Sequence, residues 1–186
     1  MLAYRGHSFS TSAEMEVLWD IKEKQCYVST DFQRDLHKPQ HKTYKLPDGH
    51  SIPLGPELLC SAEALFRPSL VGSEEPGVHE MVFRTLSRVD VDDRKQGLGN
   101  IVLSGGTTCL PGFEERLRIE MLNLAPESCR VKICASERKY MVWMGGSILA
   151  CLSPFQQMWL TFQQMWLTKE EYDESGPAVV PRRRFW

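Results

Sequence analysis

The stretch Asn100-Ile-Val-Leu-Ser-Gly-Gly-Thr-Thr-Cys-Leu-Pro-Gly-Phe-Glu-Glu-Arg-Leu117 decides the fold class. A short β-branched run meets a glycine pair, and Pro111 then stands where a helix can begin, because its fixed φ suits a first helical turn. The order is strand, tight loop, helix, and helices alternating with short strands argue for an α/β protein. Around Ser104-Gly105-Gly106-Thr107 the backbone could approach a ligand closely, since glycine has no Cβ and amides beyond a strand can cradle a phosphate or a sugar edge. A plain tight turn is the commoner use of such a pair. No Gly-Lys-Ser/Thr follows, so this is not a P-loop, and it is not the Gly-x-Gly-x-x-Gly of a dinucleotide fold.

Helices are predicted on the amino-terminal side at 57–66 and 78–89, the second placing Val78, Met81, Val82, Leu86 and Val89 on one side. Before them, Tyr44-Lys-Leu-Pro-Asp-Gly-His-Ser-Ile-Pro-Leu54 flanks a Pro-Asp-Gly turn with alternating apolar residues, a β-hairpin signal. Residues 32–43 are polar with no apolar period and predict a surface connection. Thr11-x-x-Glu14 is a capping box, so a helix begins near Ser12 with Met15, Leu18 and Ile21 at helical spacing. Beyond the glycine pair come a short strand over 130–134 and a helix over 141–152 interrupted at Gly145-Gly146. A final helix is capped by Thr168-Lys-Glu-Glu171. Phe-Gln-Gln-Met-Trp-Leu-Thr occurs at 155–161 and, unchanged, at 162–168. One tandem copy of seven residues is a local duplication rather than a solenoid.

With 186 residues, 42% of them hydrophobic, the chain can bury a real core as about one domain. Basic and acidic side chains number 22 and 24, which excludes a polyanion binder acting through bulk charge; Arg182-Arg183-Arg184 is the only basic cluster. No apolar run approaches the ~18 residues of a membrane helix and the start has no signal core, so a cytoplasmic protein with no nucleic-acid or membrane partner is expected. Six cysteines without a Cys-x-x-Cys pair suit reduced, packed thiols, and Pro39 between His37 and His41 spoils a helical metal face. In Lys22-Glu23 the carboxylate could bind both hydroxyls of a ribose while the ammonium steadies base or phosphates, but spacing alone favours a solvated helix face. Glu137-Arg138-Lys139 is open in the same way. None of the five histidines sits in a motif that names a catalytic partner.

The words of the sequence go further than its spacings. Asp20-Ile-Lys-Glu-Lys24, Cys26-Tyr-Val28, Tyr44-x-Leu-Pro-Asp-Gly49, Glu63-Ala-Leu-Phe66 and Val102-Leu-Ser-Gly-Gly-Thr-Thr108 resemble actin. So do Glu137-Arg-Lys-Tyr140, Trp143-x-Gly-Gly-Ser-Ile-Leu-Ala150, Phe155-Gln-Gln-Met-Trp159 and Glu171-Tyr-Asp-Glu-Ser-Gly-Pro177. They come in the order of the carboxyl-terminal half of an actin or close actin-like protein, from about Leu2 to Phe185. The resemblance implies a partial fold of the actin, hexokinase and Hsp70 type, ribonuclease-H-like, with ATP held between two lobes. About 2–75 would be the small outer part of the nucleotide lobe, 76–139 its core, and 140–186 the carboxyl-terminal part of the other lobe.

Carried over residue by residue, Lys22 and Glu23 match the pair lining ribose and base. Gly105 and Gly106 match the glycine pair against the nucleotide, Thr107 follows them, and Lys139 matches the lysine beside the adenine. Leu149, Leu152 and Met158 resemble part of a hydrophobic cleft that binds actin-binding proteins. Trp19 stands where the family carries an arginine, Cys109-Leu110 where it carries Met-Tyr, and Pro154 where it carries a small hydroxyl residue. The family's first phosphate loop, magnesium-positioning aspartates and water-orienting glutamine and histidine belong to its other half. The resemblance therefore implies a short isoform or incomplete gene product that is not an ATPase, with ATP or ADP bound weakly or not at all and magnesium only as the nucleotide complex. The expected partners are actin or actin-like subunits and actin-binding proteins in a cytoskeletal setting. The alternative is a non-enzymatic interaction fragment; a sugar kinase of the same superfamily is disfavoured because the matching words are those of actin.

Overall fold

The computed structural model describes residues 2–6, 9–153 and 167–182. The chain divides into two compact units, Met1–Lys139 and Tyr140–Trp186. Among the described residues no helix is long and apolar enough to cross a membrane.

In the first unit, helix α1 (Ser12–Gln25) starts where its capping box predicts. The Glu14 amide donates to Thr11 Oγ1 at 3.3 Å, and the Glu14 carboxylate accepts from the Thr11 amide at 2.8 Å. Of the expected stripe only Ile21 is buried, and Met15 is exposed. The hairpin of β1 (Lys42–Lys45) and β2 (Ser51–Leu54) is antiparallel, with Tyr44 opposite Ile52 and Lys42 opposite Leu54. Period-two alternation puts Ile52 and Leu54 in the core and Ser51 and Pro53 outside. Tyr44 ties the hairpin to α1 by donating its hydroxyl to Asp20 Oδ2 at 2.5 Å, while Lys24 pairs with Asp20 Oδ1 at 2.7 Å.

Helix α2 (Phe32–His37) lies within a segment that the sequence reads as a connection. Asp31 caps it by accepting from the Arg34 amide, and Phe32, 6% exposed, anchors it in the interior. Helix α3 (Glu57–Glu63) continues into turns that end at Phe66, and α4 (Val78–Ser87) packs against α5 (Val91–Leu98) and α6 (Phe113–Leu124). Helix α5 has no counterpart in the sequence reading. Its Val-Asp-Asp-Arg-Lys-Gln-Gly-Leu is too polar to show a period, and only Leu98 is buried.

Strand β3 (Ile101–Val102) pairs in parallel with β4 (Ile133–Cys134), Ile101 opposite Ile133, with α6 between them in sequence. Among the described residues this sheet has two strands, and Val102 is 57% exposed, unlike the fully covered strands of larger parallel sheets. Helix α6 begins at Phe113, two residues after Pro111, with Gly112 at its N-cap.

Beneath these elements lies one apolar cluster that includes Ile21, Val28, Leu54, Leu58, Phe66 and Leu117. A buried ion pair crosses it. Arg116 of α6 holds Glu63 of α3 with both guanidinium branches, Nη1 to Oε2 and Nη2 to Oε1 at 3.0 Å each. Arg116 also donates to the Ser29 carbonyl at 2.7 Å and to Glu120 at 2.7 Å, and lies 5.0 Å from the Phe66 ring centroid. A bidentate pair in which the guanidinium makes two further hydrogen bonds meets the condition under which a buried charge is tolerable.

In the second unit, α7 (Met141–Cys151) runs without a break through Gly145 and Gly146, where an interruption is expected from the sequence. Two glycines cost a helix about 2 kcal/mol against alanine, too little to stop one flanked by Met, Trp, Ile and Leu. None of its residues is buried. Helix α8 (Lys169–Ser175) opens on the Thr168 capping box, complete in both directions, and leads into a 3-10 turn over Pro177–Arg182. The repeated heptapeptide, Pro154 and the end of the basic tail lie outside the described residues, apart from Leu167 and Thr168. All six cysteines are free thiols, but they are not all packed as the sequence suggests: Cys109 and Cys151 are exposed.

Candidate functional site

The site is built around the end of β3. The ladder continues past the strand, since the Leu103 amide donates to the Cys134 carbonyl at 2.9 Å and the Gly105 amide to the Arg138 carbonyl at 2.8 Å. Gly105 has φ +93°, a conformation side chains resist, so the chain can leave the sheet abruptly there. A 3-10 turn over Gly106–Cys109 follows, closed by the Thr108 hydroxyl donating to the Gly105 carbonyl at 2.8 Å.

Arg138 clamps this loop from the turn that follows β4. Its guanidinium donates to the Thr108 carbonyl at 2.6 Å, the Ala135 carbonyl at 2.7 Å and Glu114 Oε2 at 2.7 Å. Glu137, just before it, is the one non-glycine residue with positive φ among the described residues, at +50°. That turn lets the backbone carbonyl of Arg138 reach Gly105 while its side chain reaches Thr108. Held backbone strain of this kind costs on the order of 1 kcal/mol and persists where the surroundings enforce it.

Lys22 and Glu23 project from the last turns of α1 and are exposed. Together with Ser61, Gly106, Thr107 and Lys139 they line a cavity of about 560 Å³ whose remaining wall includes Ala62, Leu65 and Leu110. Five of the six residues expected at a nucleotide thus border one cavity. Gly105 is not on its wall and serves the turn behind it. A Cβ placed on Gly106 would meet no atom within 4 Å, so the backbone there faces open space. The donor set suits a nucleotide: a carboxylate for vicinal hydroxyls, two ammonium groups, a bare backbone approach and an apolar wall for a base, within the size range of small-molecule sites. Cys109 and Leu110 also line the cavity, whereas Trp19 does not.

Sequence comparison matches residues 2–185 to the protein family described as Actin. The chain belongs to the actin family. Actin-family membership agrees with the mixed α/β architecture and generally implies binding of ATP with magnesium. The matched span covers both units and every residue singled out above.

The sequence offers Arg138 within Glu137-Arg138-Lys139 as an open candidate but gives no sign of its clamping role. Its acceptors are the carbonyls of residues 108 and 135 and the carboxylate of Glu114, two of them more than twenty positions away, and no local pattern marks such a side chain. Of the residues expected to bind partners, Leu149 and Leu152 are half-exposed on and just beyond α7 in the second unit, and Met158 lies outside the described residues. Among the described residues no group of three or more His, Cys, Asp or Glu is placed to hold a metal ion.

Proposed function

We propose that these residues form the carboxyl-terminal half of an actin-type fold, and that Met1–Lys139 carries one wall of an adenine-nucleotide cleft. The observation that supports this reading is the convergence of Lys22, Glu23, Gly106, Thr107 and Lys139, drawn from three separate parts of the chain, on one cavity. ATP or ADP binds there weakly, because a single wall leaves the phosphates in water, and magnesium arrives only as the nucleotide complex. Glu23 holds the ribose hydroxyls, Lys139 borders the base, and the Gly106-Thr107 backbone approaches the phosphates.

Two variants test the assignment. Gly106→Val should weaken nucleotide binding at least tenfold with little change in folding, since its side chain would enter open space rather than protein. Lys139→Ala should weaken it by a smaller factor. Unchanged calorimetric titration curves with ADP for both variants would remove the site from these residues.

We infer further that the chain releases phosphate from ATP no faster than buffer, because phosphoryl transfer depends on a metal clamp and an oriented water, and among the residues lining the cavity Glu23 is the one carboxylate, with no histidine or glutamine beside it. Steady phosphate release that follows the folded protein through gel filtration and is lost in Glu23→Ala would contradict this.

A second reading is a non-enzymatic fragment that binds actin-like subunits or actin-binding proteins. Its support is the apolar surface of α7 and its flanks, where Val142 is 75%, Trp143 72%, Ile148 63% and Leu149 51% exposed. Several large apolar side chains exposed on one helix are a feature of interaction surfaces.

A further inference from the structure

A second cavity, of about 610 Å³, opens beside α1 and shares Lys22, Cys26 and Ser61 with the first. Its wall is hydrocarbon, including Leu18, Ile21, Leu54, Leu58, Leu70 and Val71, with Trp19 at the edge. Leu54, Leu58 and Ile21 are core residues, whereas Trp19, Leu70 and Val71 are half or more exposed, so the cavity has a fixed floor and an open mouth. Its size lies within the range that holds small molecules.

The polar groups on the wall decide the ligand class. Glu57 is already neutralised: it pairs with Arg5 at 2.7 Å and accepts from the Gly55 amide at 2.8 Å. Burial alone would push its carboxyl up, but those partners and its own amide outweigh this and hold it below the usual value, so it stays ionised and paired. The thiols of Cys26 and Cys60 are pushed up by burial and remain neutral. The Ser61 hydroxyl donates to Cys26 Sγ at 3.2 Å. Lys22 remains; among the described residues no carboxylate lies within ion-pair distance of its ammonium. An apolar chamber with one uncompensated cation at its edge is complementary to an apolar molecule with one negative end.

We propose that this cavity binds a monomeric amphipathic anion of the medium-chain carboxylate class, its hydrocarbon body against Leu54 and Leu58 and its head at Lys22. Lys22 also lines the wall assigned to the nucleotide, but Leu54, Leu58 and Cys60 do not, so the hydrocarbon body of this ligand is held by residues that have no part in nucleotide binding and the proposal does not rest on it.

Trp19 supplies the readout, because it is the only tryptophan between Met1 and Lys139. Bromoundecanoate, added to the full chain below its micelle concentration, should quench tryptophan fluorescence saturably, and Trp19→Phe should abolish that quenching. Lys22→Gln should weaken binding of the acid by about fivefold and leave the corresponding alcohol, bromoundecanol, unaffected. Methyl spectra of the unsubstituted chain with undecanoate give a check that needs no variant: shifts are expected at Leu18, Ile21, Leu54 and Leu58. Quenching that survives Trp19→Phe, shifts confined to Leu149 and Leu152, equal loss of acid and alcohol in Lys22→Gln, or association with anionic vesicles but not with the monomer would each overturn the proposal.

Discussion

Glu63→Ala should lower the unfolding free energy by about 3–5 kcal/mol, because it strands a guanidinium inside the core. The Glu63 side chain is 0% exposed and that of Arg116 only 4%. Removing the carboxylate leaves Arg116 with Glu120 and the Ser29 carbonyl, and takes from Arg67 the partner it meets at 3.4 Å. The double variant Glu63→Met with Arg116→Met should be more stable than Glu63→Ala alone, since apolar residues of similar volume can replace a buried pair at little cost. Equilibrium urea unfolding with far-ultraviolet dichroism would measure both. If Glu63→Ala unfolds within 1 kcal/mol of the parent chain, the pair is hydrated and the account of the core is wrong.

Gly112→Ala should cost about 3 kcal/mol or more, for two reasons that act at the same atom. Gly112 has φ +82°, and a Cβ there would sit 2.1 Å from the Val28 carbonyl oxygen. Val28 also donates its amide to the Pro111 carbonyl at 2.8 Å, so relieving the clash pulls apart the backbone contact that holds the 26–28 segment against the start of α6. Gly49→Ala is the control: its φ is +90° but nothing lies within 4 Å, so it bears the conformational penalty alone, roughly 1–2 kcal/mol. Equal losses for the two variants would mean that the close approach at Gly112 is not made.

Elements whose boundaries are written in local chemistry were legible in the sequence. Thr11 and Glu14 start α1, Thr168 and Glu171 start α8, and the turn at Pro47-Asp48-Gly49 sets the hairpin register. Elements held by single distant contacts were not. Helix α2 exists because Asp31 caps it and Phe32 is buried, and α5 because Leu98 is buried, neither of which makes a period. The glycine pair at 145–146 misled in the opposite direction, since a break was inferred from composition and the apolar neighbours carry the helix through.

At the site, the residue types and the resemblance named the candidates, but spacing could not bring them together. Lys22 and Lys139 are more than a hundred residues apart and share a cavity only because α1, α3 and the loop after β3 meet over one core. The pairing of Glu63 with Arg116 is hidden for the same reason, the partner lying 53 positions away on α6.

Equilibrium titration of the folded chain with magnesium ADP, followed by isothermal calorimetry, tests the proposal that Met1–Lys139 carries one wall of an adenine-nucleotide site. Weak, saturable, one-to-one binding that is reduced in Gly106→Val is expected. A titration with no heat beyond dilution, from a chain shown to be folded by its unfolding transition, would contradict it.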